Sequence, residues 1–254
     1  MRALHLQLLG IALWAVAARA PAAEQVSIAA AANLAYVLTP LDAEFNRSEP
    51  GVVVTSAIGA SGGLVAQIRE GAPYDVFLSA DTDFPKKLVA AGGADPSSLV
   101  TFAFGRLVLW TTRPGLALAS VESALRDPSV RRIAMANPET APYGRAAEQV
   151  LARLGLSSEV KPKIVIGENI TQTAQFVSSG NAELGFVALS LVVAPNLKGK
   201  GRWIEVPASL YAPIAQGAVL TSRGASNPAA RRYLKFLDSP PAREVFARFG
   251  YILP

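Results

Sequence analysis

The feature that most constrains the fold of this chain is a regular alternation of short apolar runs with stretches of helical periodicity. The first run, at 26–31, is followed by Leu34, Leu38 and Leu41, which recur at the spacing of one helix face. Repeated strand–helix units of this kind favour an α/β fold with mostly parallel, doubly wound sheets. Strands are predicted at 26–31, 52–58, 76–79, 106–112, 133–136, 164–166, 184–187 and 214–221, and helices at 64–70, 85–91, 144–154 and 171–179, with two more opened by Pro228 and Pro241.

The first 23 residues predict a secretory signal peptide, which would not belong to the fold. Arg2 precedes an uncharged apolar run at 6–18, and Ala20-Pro21-Ala22 gives an A-x-A cleavage pattern. A membrane anchor is the alternative, but the run is well short of the roughly 20 residues that a spanning helix needs. The mature chain is therefore expected to be exported to the periplasm.

The charge of the chain does not indicate a nucleic-acid partner. Cleavage of the first 22 residues removes two of the 24 basic residues, Arg2 and Arg19, and none of the 19 acidic ones, so the net charge falls from +5 to +3. The remaining basic residues are scattered, apart from a loop at 198–202. Nucleic-acid binding would need a basic stripe with interleaved aromatic side chains.

Two absences limit the chemistry of the mature sequence. The chain has no cysteine, which excludes disulfides, thiolate nucleophiles and zinc–thiolate sites. Its one histidine, His5, lies in the predicted signal peptide, so the mature chain lacks the commonest general base and metal ligand. An enzyme with this sequence would need a Ser–Lys pair or paired carboxylates instead.

Four predicted strand-to-helix junctions have short loops of small or polar residues. The start of a helix exposes N–H donors and a partial positive charge, so it binds anions without a formal cation. Ordinary helix capping explains any one such loop, but four at the carboxyl ends of parallel strands would meet at one edge of the fold. The loops lie at 30–34, where Asn33 is a candidate N-cap, and at 58–64, 137–144 and 167–172.

On these residues the chain resembles the periplasmic molybdate-binding proteins of ABC importers. The resemblance extends over essentially the whole mature sequence. Its most specific segments are AAANL at 30–34, ASGGLVAQIREGAPYDVFLSAD at 60–81, GRLVLW at 105–110, ANPETAPYG at 136–144, GENITQTAQFVSSGNAELGFVALS at 167–190 and SPPAREVFARFGYILP at 239–254.

The resemblance implies a two-lobed, hinged, type II periplasmic binding fold, with one lobe at 24–104 and 212–254 and the other at 105–211. It also implies a monomer that captures molybdate or tungstate between its lobes, without a cofactor, and delivers it to the permease and ATPase of an importer. Molybdenum would be held as molybdate with no direct metal ligand. Position by position, the anion contacts fall on Asn33, Ser61, Tyr143 and Ile170, the last through its backbone N–H.

The sequence departs from the common pattern of this family at three positions. Many relatives have serine in place of Asn33, a small residue in place of Tyr143, and a tyrosine in place of Ala188. One hydroxyl is therefore lost and another gained. The phenol of Tyr143 would either donate to the anion in place of the missing tyrosine or cover the cleft with its ring.

The same sequence is compatible with two other functions. A carrier of sulfate, phosphate or an organic acid would use the same kind of site. A hydrolase with Ser61 as nucleophile is a more distant alternative, because the sequence around Ser61 lacks the G-x-S-x-G spacing and the mature chain has no histidine to activate it. Glu139 and Glu168 lie in the third and fourth loops and are expected to point away from the anion, with Glu168 capping nearby backbone.

Overall fold

A computed structural model describes residues 24–254, so the predicted signal peptide at 1–23 lies outside the described residues. The chain forms two five-stranded sheets. The first sheet is built from β1 (Glu24–Ala31), β2 (Val52–Gly59), β3 (Val76–Ser79), β4 (Val100–Gly105) and β10 (Ile214–Leu220), in the order β2-β1-β3-β10-β4.

The second sheet is formed by the middle of the chain. It contains β5 (Leu107–Thr111), β6 (Ile133–Ala136), β7 (Ile164–Gly167), β8 (Leu184–Ala188) and β9 (Arg202–Glu205), in the order β7-β6-β8-β5-β9. The chain passes from the first sheet to the second between β4 and β5, and it returns between β9 and β10. Each sheet with its helices makes one lobe, and the exact lobe boundaries at 104/105 and 211/212 stay a prediction.

Helices cover both sheets. They are α1 (Leu38–Ser48), α2 (Ser61–Arg69), α3 (Asp83–Ala90), α4 (Val121–Arg126), α5 (Pro142–Arg153), α6 (Ser157–Val160), α7 (Ile170–Ser178), α8 (Leu189–Val192), α9 (Pro228–Phe236) and α10 (Pro240–Arg248), with 3-10 turns at Ala32–Leu34, Pro96–Ser98, Lys161–Lys163, Ala208–Leu210 and Gly224–Ser226. Across residues 24–254, no helix is long and apolar enough to cross a membrane.

The strand directions in each sheet are mixed. Strand β1 pairs in parallel with β2 and β3, and β6 pairs in parallel with β7 and β8. Strand β10 runs antiparallel to β3 and β4, and β5 runs antiparallel to β8 and β9. The repeated strand–helix units in the sequence predict the parallel pairs. The antiparallel pairs all involve β5 or β10, the first strand after each passage between the lobes.

The predicted strands and helices are all present, with their ends displaced by a few residues at most. Five strands and helices were missed: β4, because its apolar residues run almost directly into those of β5; β9, which is short and largely exposed; and the short helices α4, α6 and α8. Helix α10 begins at Pro240 and not at Pro241 as predicted, and Ser239 caps it by accepting a hydrogen bond from the N–H of Ala242. The proline fits the first helical position because it has no N–H to leave unpaired.

The packed cores show how closely the lobes approach. Two clusters of buried side chains lie in the first lobe, one of them extending to Ala194 of the second lobe, and one larger cluster fills the second lobe. The larger cluster also includes Ala31, Ala32 and Ala80, which belong to the ends of strands and to loops of the first lobe. Small side chains at these positions let the second lobe pack directly against the first, so the lobes are closed on one another.

Candidate functional site

The four predicted loops lie at the carboxyl ends of two pairs of neighbouring parallel strands. In the first sheet the last residues of β1 and β2, Ala31 and Gly59, are partners in the strand register. In the second sheet the last residues of β6 and β7, Ala136 and Gly167, are partners in the same way. Because the strand ends are in register, the loops leave side by side, and each lobe contributes two of them to the site.

A small cavity lies where these loops meet, and it will be called the anion cavity. Its volume is about 10 Å³, the space of about one water molecule and far below the roughly 300–1,000 Å³ of pockets for drug-sized ligands. None of its twelve lining residues carries a charge. They are Ala31, Ala32, Asn33, Gly59, Ala60, Ser61, Ala80, Ala141, Pro142, Tyr143, Asn169 and Ile170.

All four predicted contact residues line the anion cavity, and all four are buried. The structure therefore brings together Asn33 and Ser61 from the first lobe with Tyr143 and Ile170 from the second. Ala188, where many relatives have a tyrosine, is fully buried at the end of β8 and is not among the lining residues.

Asn33 lies in a short 3-10 turn directly after β1, and its side chain is turned into the first lobe. Its Nδ2 donates to Gln216 Oε1 and to Tyr251 Oη, both at 2.7 Å. The prediction that Asn33 is an N-cap is wrong, since its side chain makes no cap hydrogen bond and the cap position is Ala31. With both N–H groups of the carboxamide in use, the donor that Asn33 has left for a ligand is its backbone N–H.

Ser61 is the first residue of α2, so its N–H belongs to the group of helix-start donors without an intrahelical partner. Its Oγ accepts a hydrogen bond from the N–H of Ala80 at 3.1 Å. A hydroxyl has one proton and two lone pairs. The bond from Ala80 occupies a lone pair and leaves the Ser61 proton to be donated.

Tyr143 lies in the first turn of α5, directly after Pro142. Its Oη is buried and has no hydrogen-bond partner among the described residues. The hydroxyl lies next to Gly105, where a Cβ would overlap it and would also come within 3.0 Å of Gln216 Nε2. Burial, together with the nearby phenols of Tyr251 and Tyr211, raises the pKa of Tyr143 well above its ordinary value, so the hydroxyl keeps its proton.

Ile170 is the first residue of α7, and the cap of this helix leaves the Ile170 N–H free. Asn169 Oδ1 accepts from the N–H groups of Thr171 and Gln172, each at 3.0 Å. The predicted cap by Glu168 is thus wrong, because Asn169 does the capping. Both Glu168 and Glu139 are exposed and neither lines the anion cavity, as expected for acidic residues near an anion site.

Several contacts join the two lobes around the anion cavity. The Thr171 hydroxyl donates to Ala32 O at 2.8 Å, and the Gly62 N–H donates to Thr140 O at 2.9 Å. The Ser190 hydroxyl donates to Asn33 O at 2.8 Å. A further link is an ion pair between Arg145 of α5 and Asp81, which follows β3.

The sequence did not reveal five residues that form or support the anion cavity, namely Ala80 in its lining and Gln216, Tyr251, Ser190 and Arg145 around it. Gln216 and Tyr251 are more than 180 positions from Asn33 along the chain, and nothing local marks them as its partners. Ala80 has an unremarkable side chain and acts through its backbone. Among residues 24–254 no cluster of three or more His, Cys, Asp or Glu side chains could hold a metal ion.

Comparison with known proteins agrees with this architecture. Residues 26–252 match the family described as bacterial extracellular solute-binding proteins. The chain belongs to this family.

Among members of the solute-binding family, the molybdate-binding protein ModA of Azotobacter vinelandii is 44% identical over 244 residues, covering 96% of this chain and 94% of the relative. ModA of Rhodobacter capsulatus is 42% identical, covering 91% and 89%. The solved structure of the Azotobacter vinelandii periplasmic molybdate-binding protein aligns with a TM-score of 0.85 at 38% identity, covering 90% of this chain and 99% of that one. The two-lobed fold predicted from the sequence is confirmed.

Proposed function

We propose that this solute-binding protein captures molybdate, or the equivalent tungstate, in the anion cavity and delivers it to an ABC importer. The observation that carries the proposal is a small, uncharged cavity at which four strand-to-helix loops converge. The high identity to molybdate-binding relatives over nearly the whole chain supports the choice of oxyanion.

The proposed contacts are hydrogen-bond donors without formal charge. They are the backbone N–H groups of Asn33, Tyr143 and Ile170 and the hydroxyls of Ser61 and Tyr143. Charge-assisted hydrogen bonds contribute about 1.5–3 kcal/mol each, so a few of them hold a dianion firmly. Because no lysine or arginine lines the anion cavity, release of the anion does not require separation of an ion pair.

The same donor pattern favours a fully deprotonated oxyanion. A protonated anion such as hydrogen phosphate would direct its O–H at one of these donors unless it met Asn33 Oδ1, a buried acceptor that has no partner among the described residues. Sulfate is the nearest alternative ligand, since it has the same charge and shape as molybdate and differs mainly in size. The separation of molybdate from sulfate therefore depends on how closely the loops enclose the anion.

We further propose that the protein is a periplasmic monomer without a cofactor or catalytic activity. The alternative of a serine hydrolase requires a base for Ser61, and the hydroxyl of Ser61 accepts from a backbone N–H with no histidine in residues 24–254. A turnover assay with generic ester substrates tests this alternative, and steady hydrolysis that disappears in Ser61→Ala would favour the enzyme.

A thermal-shift screen of the mature protein against oxyanions tests the proposed ligand. A ligand at 1,000 times its dissociation constant adds about 4 kcal/mol of stability, which gives a large rise in melting temperature. Molybdate and tungstate should raise it strongly, and sulfate and phosphate weakly or not at all. An equal shift with sulfate at the same concentration would reassign the ligand.

A further inference from the structure

Gln216 is a fully buried polar side chain on β10, close behind the anion cavity but not part of its lining. It lies opposite Ala103 of β4, at the point where the pairing register shifts between Gln216 and Gly217. Ala218 and Val219, further along the same strand, are apolar and buried. A buried carboxamide is costly unless its donors and acceptor are all satisfied, so its presence in an apolar strand calls for a role.

The orientation of the Gln216 carboxamide is fixed by its own hydrogen bonds. Its Nε2 donates to Ala80 O at 3.1 Å and to Ile214 O at 3.0 Å. A flipped amide would direct Oε1 at two carbonyl oxygens, which is repulsive. The Oε1 atom must therefore face Asn33, and it accepts the bond from Asn33 Nδ2.

This arrangement fixes Asn33 in turn. Since Gln216 Oε1 can only accept, Asn33 must present its Nδ2 there, and the second N–H of the same group goes to Tyr251 Oη. The Tyr251 hydroxyl closes the network by donating to Asn33 O at 3.2 Å. The Asn33 side chain is thus held in place on the first lobe, which fixes its backbone N–H at the anion cavity.

Gln216 is also linked to Ser61 through the backbone of a single residue, Ala80. The Ala80 carbonyl oxygen accepts from Gln216 Nε2, and the Ala80 N–H donates to Ser61 Oγ. Both polar residues that the first lobe contributes to the anion cavity are therefore connected to one side chain. Loss of Gln216 would remove one of the two hydrogen bonds of the Asn33 Nδ2 group and the bond to Ala80 O at the same time.

We propose that Gln216 is a positioning residue of the anion site, which orients the Ser61 hydroxyl through Ala80 and holds Asn33 directly. The inference rests on the proposed function, because it concerns the same site. It assigns the donor geometry of the first lobe to one residue outside the cavity lining. A residue that only fills space on β10 would change stability without any specific connection to Ser61.

A double-mutant cycle separates these roles, since coupled residues give non-additive effects. Molybdate is titrated by calorimetry into the wild-type mature protein, Gln216→Met, Ser61→Ala and the double variant. Ser61→Ala is expected to weaken binding about 10- to 100-fold in the wild-type background but less than about threefold in Gln216→Met. Gln216→Met should also bring the dissociation constants of molybdate and sulfate closer together, because the donors no longer hold one geometry.

Ser98→Ala is the matched control, because Ser98 Oγ accepts from the N–H of Leu220 on the same strand β10 and lies outside the anion cavity. It removes a buried hydrogen bond and should leave both affinities within about twofold of wild type. If Gln216→Met does not fold, Gln216→Leu serves in the same cycle, because it is also uncharged and removes both the acceptor for Asn33 and the donor to Ala80 O.

The outcomes distinguish the inference from the function it rests on. Failure of the wild-type protein to bind molybdate would refute the proposed function. Wild-type binding with additive effects of Gln216 and Ser61, or an unchanged molybdate-to-sulfate ratio in Gln216→Met, would overturn the positioning role alone. Failure of both Gln216 variants to fold would make Gln216 a residue of the fold and would also overturn it.

Discussion

At the scale of single residues, the hydroxyl of Ser61 accepts one hydrogen bond and has one proton to give. Its acceptor role is filled by the Ala80 N–H, and no described residue receives its proton. The side chain is buried at the first position of α2, where the free N–H groups of the helix add a partial positive charge. An anion in the cavity would accept hydrogen bonds from the Ser61 hydroxyl and from the free N–H groups at the start of α2.

Ser61→Ala should therefore weaken molybdate binding about 10- to 100-fold, the value of one charge-assisted hydrogen bond. The unliganded fold should remain intact, because alanine is well tolerated in a helix. Calorimetric titration gives the affinity, and circular dichroism of the unliganded variant checks the fold. Unchanged affinity would mean that Ser61 serves only the backbone of Ala80.

Tyr143→Phe tests the departure of this chain from many relatives. The hydroxyl of Tyr143 is buried without a partner among the described residues, and such a group usually has a ligand or water that satisfies it. If the bound anion is that partner, loss of the oxygen should raise the dissociation constant roughly 10- to 150-fold.

The matched variant is Tyr143→Ala, which removes the ring as well. A ring that only covers the cleft would give a Tyr143→Phe affinity within about threefold of wild type and a much larger loss for Tyr143→Ala. That pattern would show that the Tyr143 hydroxyl does not replace the tyrosine hydroxyl that many relatives have at the position of Ala188.

The sequence identified the proposed contact residues more completely than the residues that hold them in place. Small and polar residues after predicted strands marked the four loops, because a helix start is a local feature of the chain, and the resemblance to the binding-protein family assigned Asn33, Ser61, Tyr143 and Ile170 within them. The partners that orient Asn33 come from β10 and from Tyr251 near the C-terminus. A single sequence contains no signal of such distant pairing, so Gln216 and the direction of the Asn33 side chain could not be predicted.

At the scale of elements, α5 connects the anion cavity to the closure of the lobes. Tyr143 in its first turn lines the cavity, and Arg145 in the same turn forms an ion pair with Asp81 of the first lobe. The Arg145 guanidinium also lies over the ring of Phe84, 5.2 Å from its centroid. Both interactions cross the cleft and exist only while the lobes are together.

Arg145→Met should therefore favour the open state. We expect a loss of molybdate affinity of about 3- to 10-fold, mostly as faster dissociation, which stopped-flow release experiments would measure. Arg126→Met is the control, since Arg126 pairs with Glu122 and Glu159 within the second lobe on an exposed surface. Equal effects of the two variants would show that the ion pair between Arg145 and Asp81 contributes no more to molybdate affinity than an ordinary surface pair.

Helices α1 and α9 meet at a carboxylate that affects stability and not binding. Asp42 accepts a hydrogen bond from Tyr233 Oη at 2.7 Å, and burial raises the pKa of Asp42 to about 6, against the lowering effect of that bond. A raised folded-state pKa means that the stability from this group is complete below about pH 4 and is lost as the pH rises through about 6.

Asp42→Asn removes this titration while keeping an acceptor for Tyr233. The free energy of unfolding of wild type relative to Asp42→Asn should fall by up to about 3 kcal/mol between pH 4 and pH 7. Urea denaturation across this range measures it, and the difference between the two proteins cancels the other titrating groups. A pH-independent difference would contradict the raised pKa.

At the scale of the whole molecule, the periodicity of apolar residues was enough to predict the α/β class and most elements. The mixed strand directions and the two passages between sheets were not visible in it, because they depend on which strands pair across long separations. The two-lobed arrangement came from the resemblance of specific segments to a known family. Charge and the lack of histidine and cysteine limited the chemistry but did not select the ligand.

The central claim is that the small, uncharged cavity between the lobes binds molybdate selectively. Calorimetric titration of molybdate into the mature protein, alone and with excess sulfate present, tests it most directly. The account predicts one site per chain, with an affinity that excess sulfate lowers only slightly. Absence of molybdate binding, or displacement of molybdate by sulfate at comparable concentrations, would contradict it.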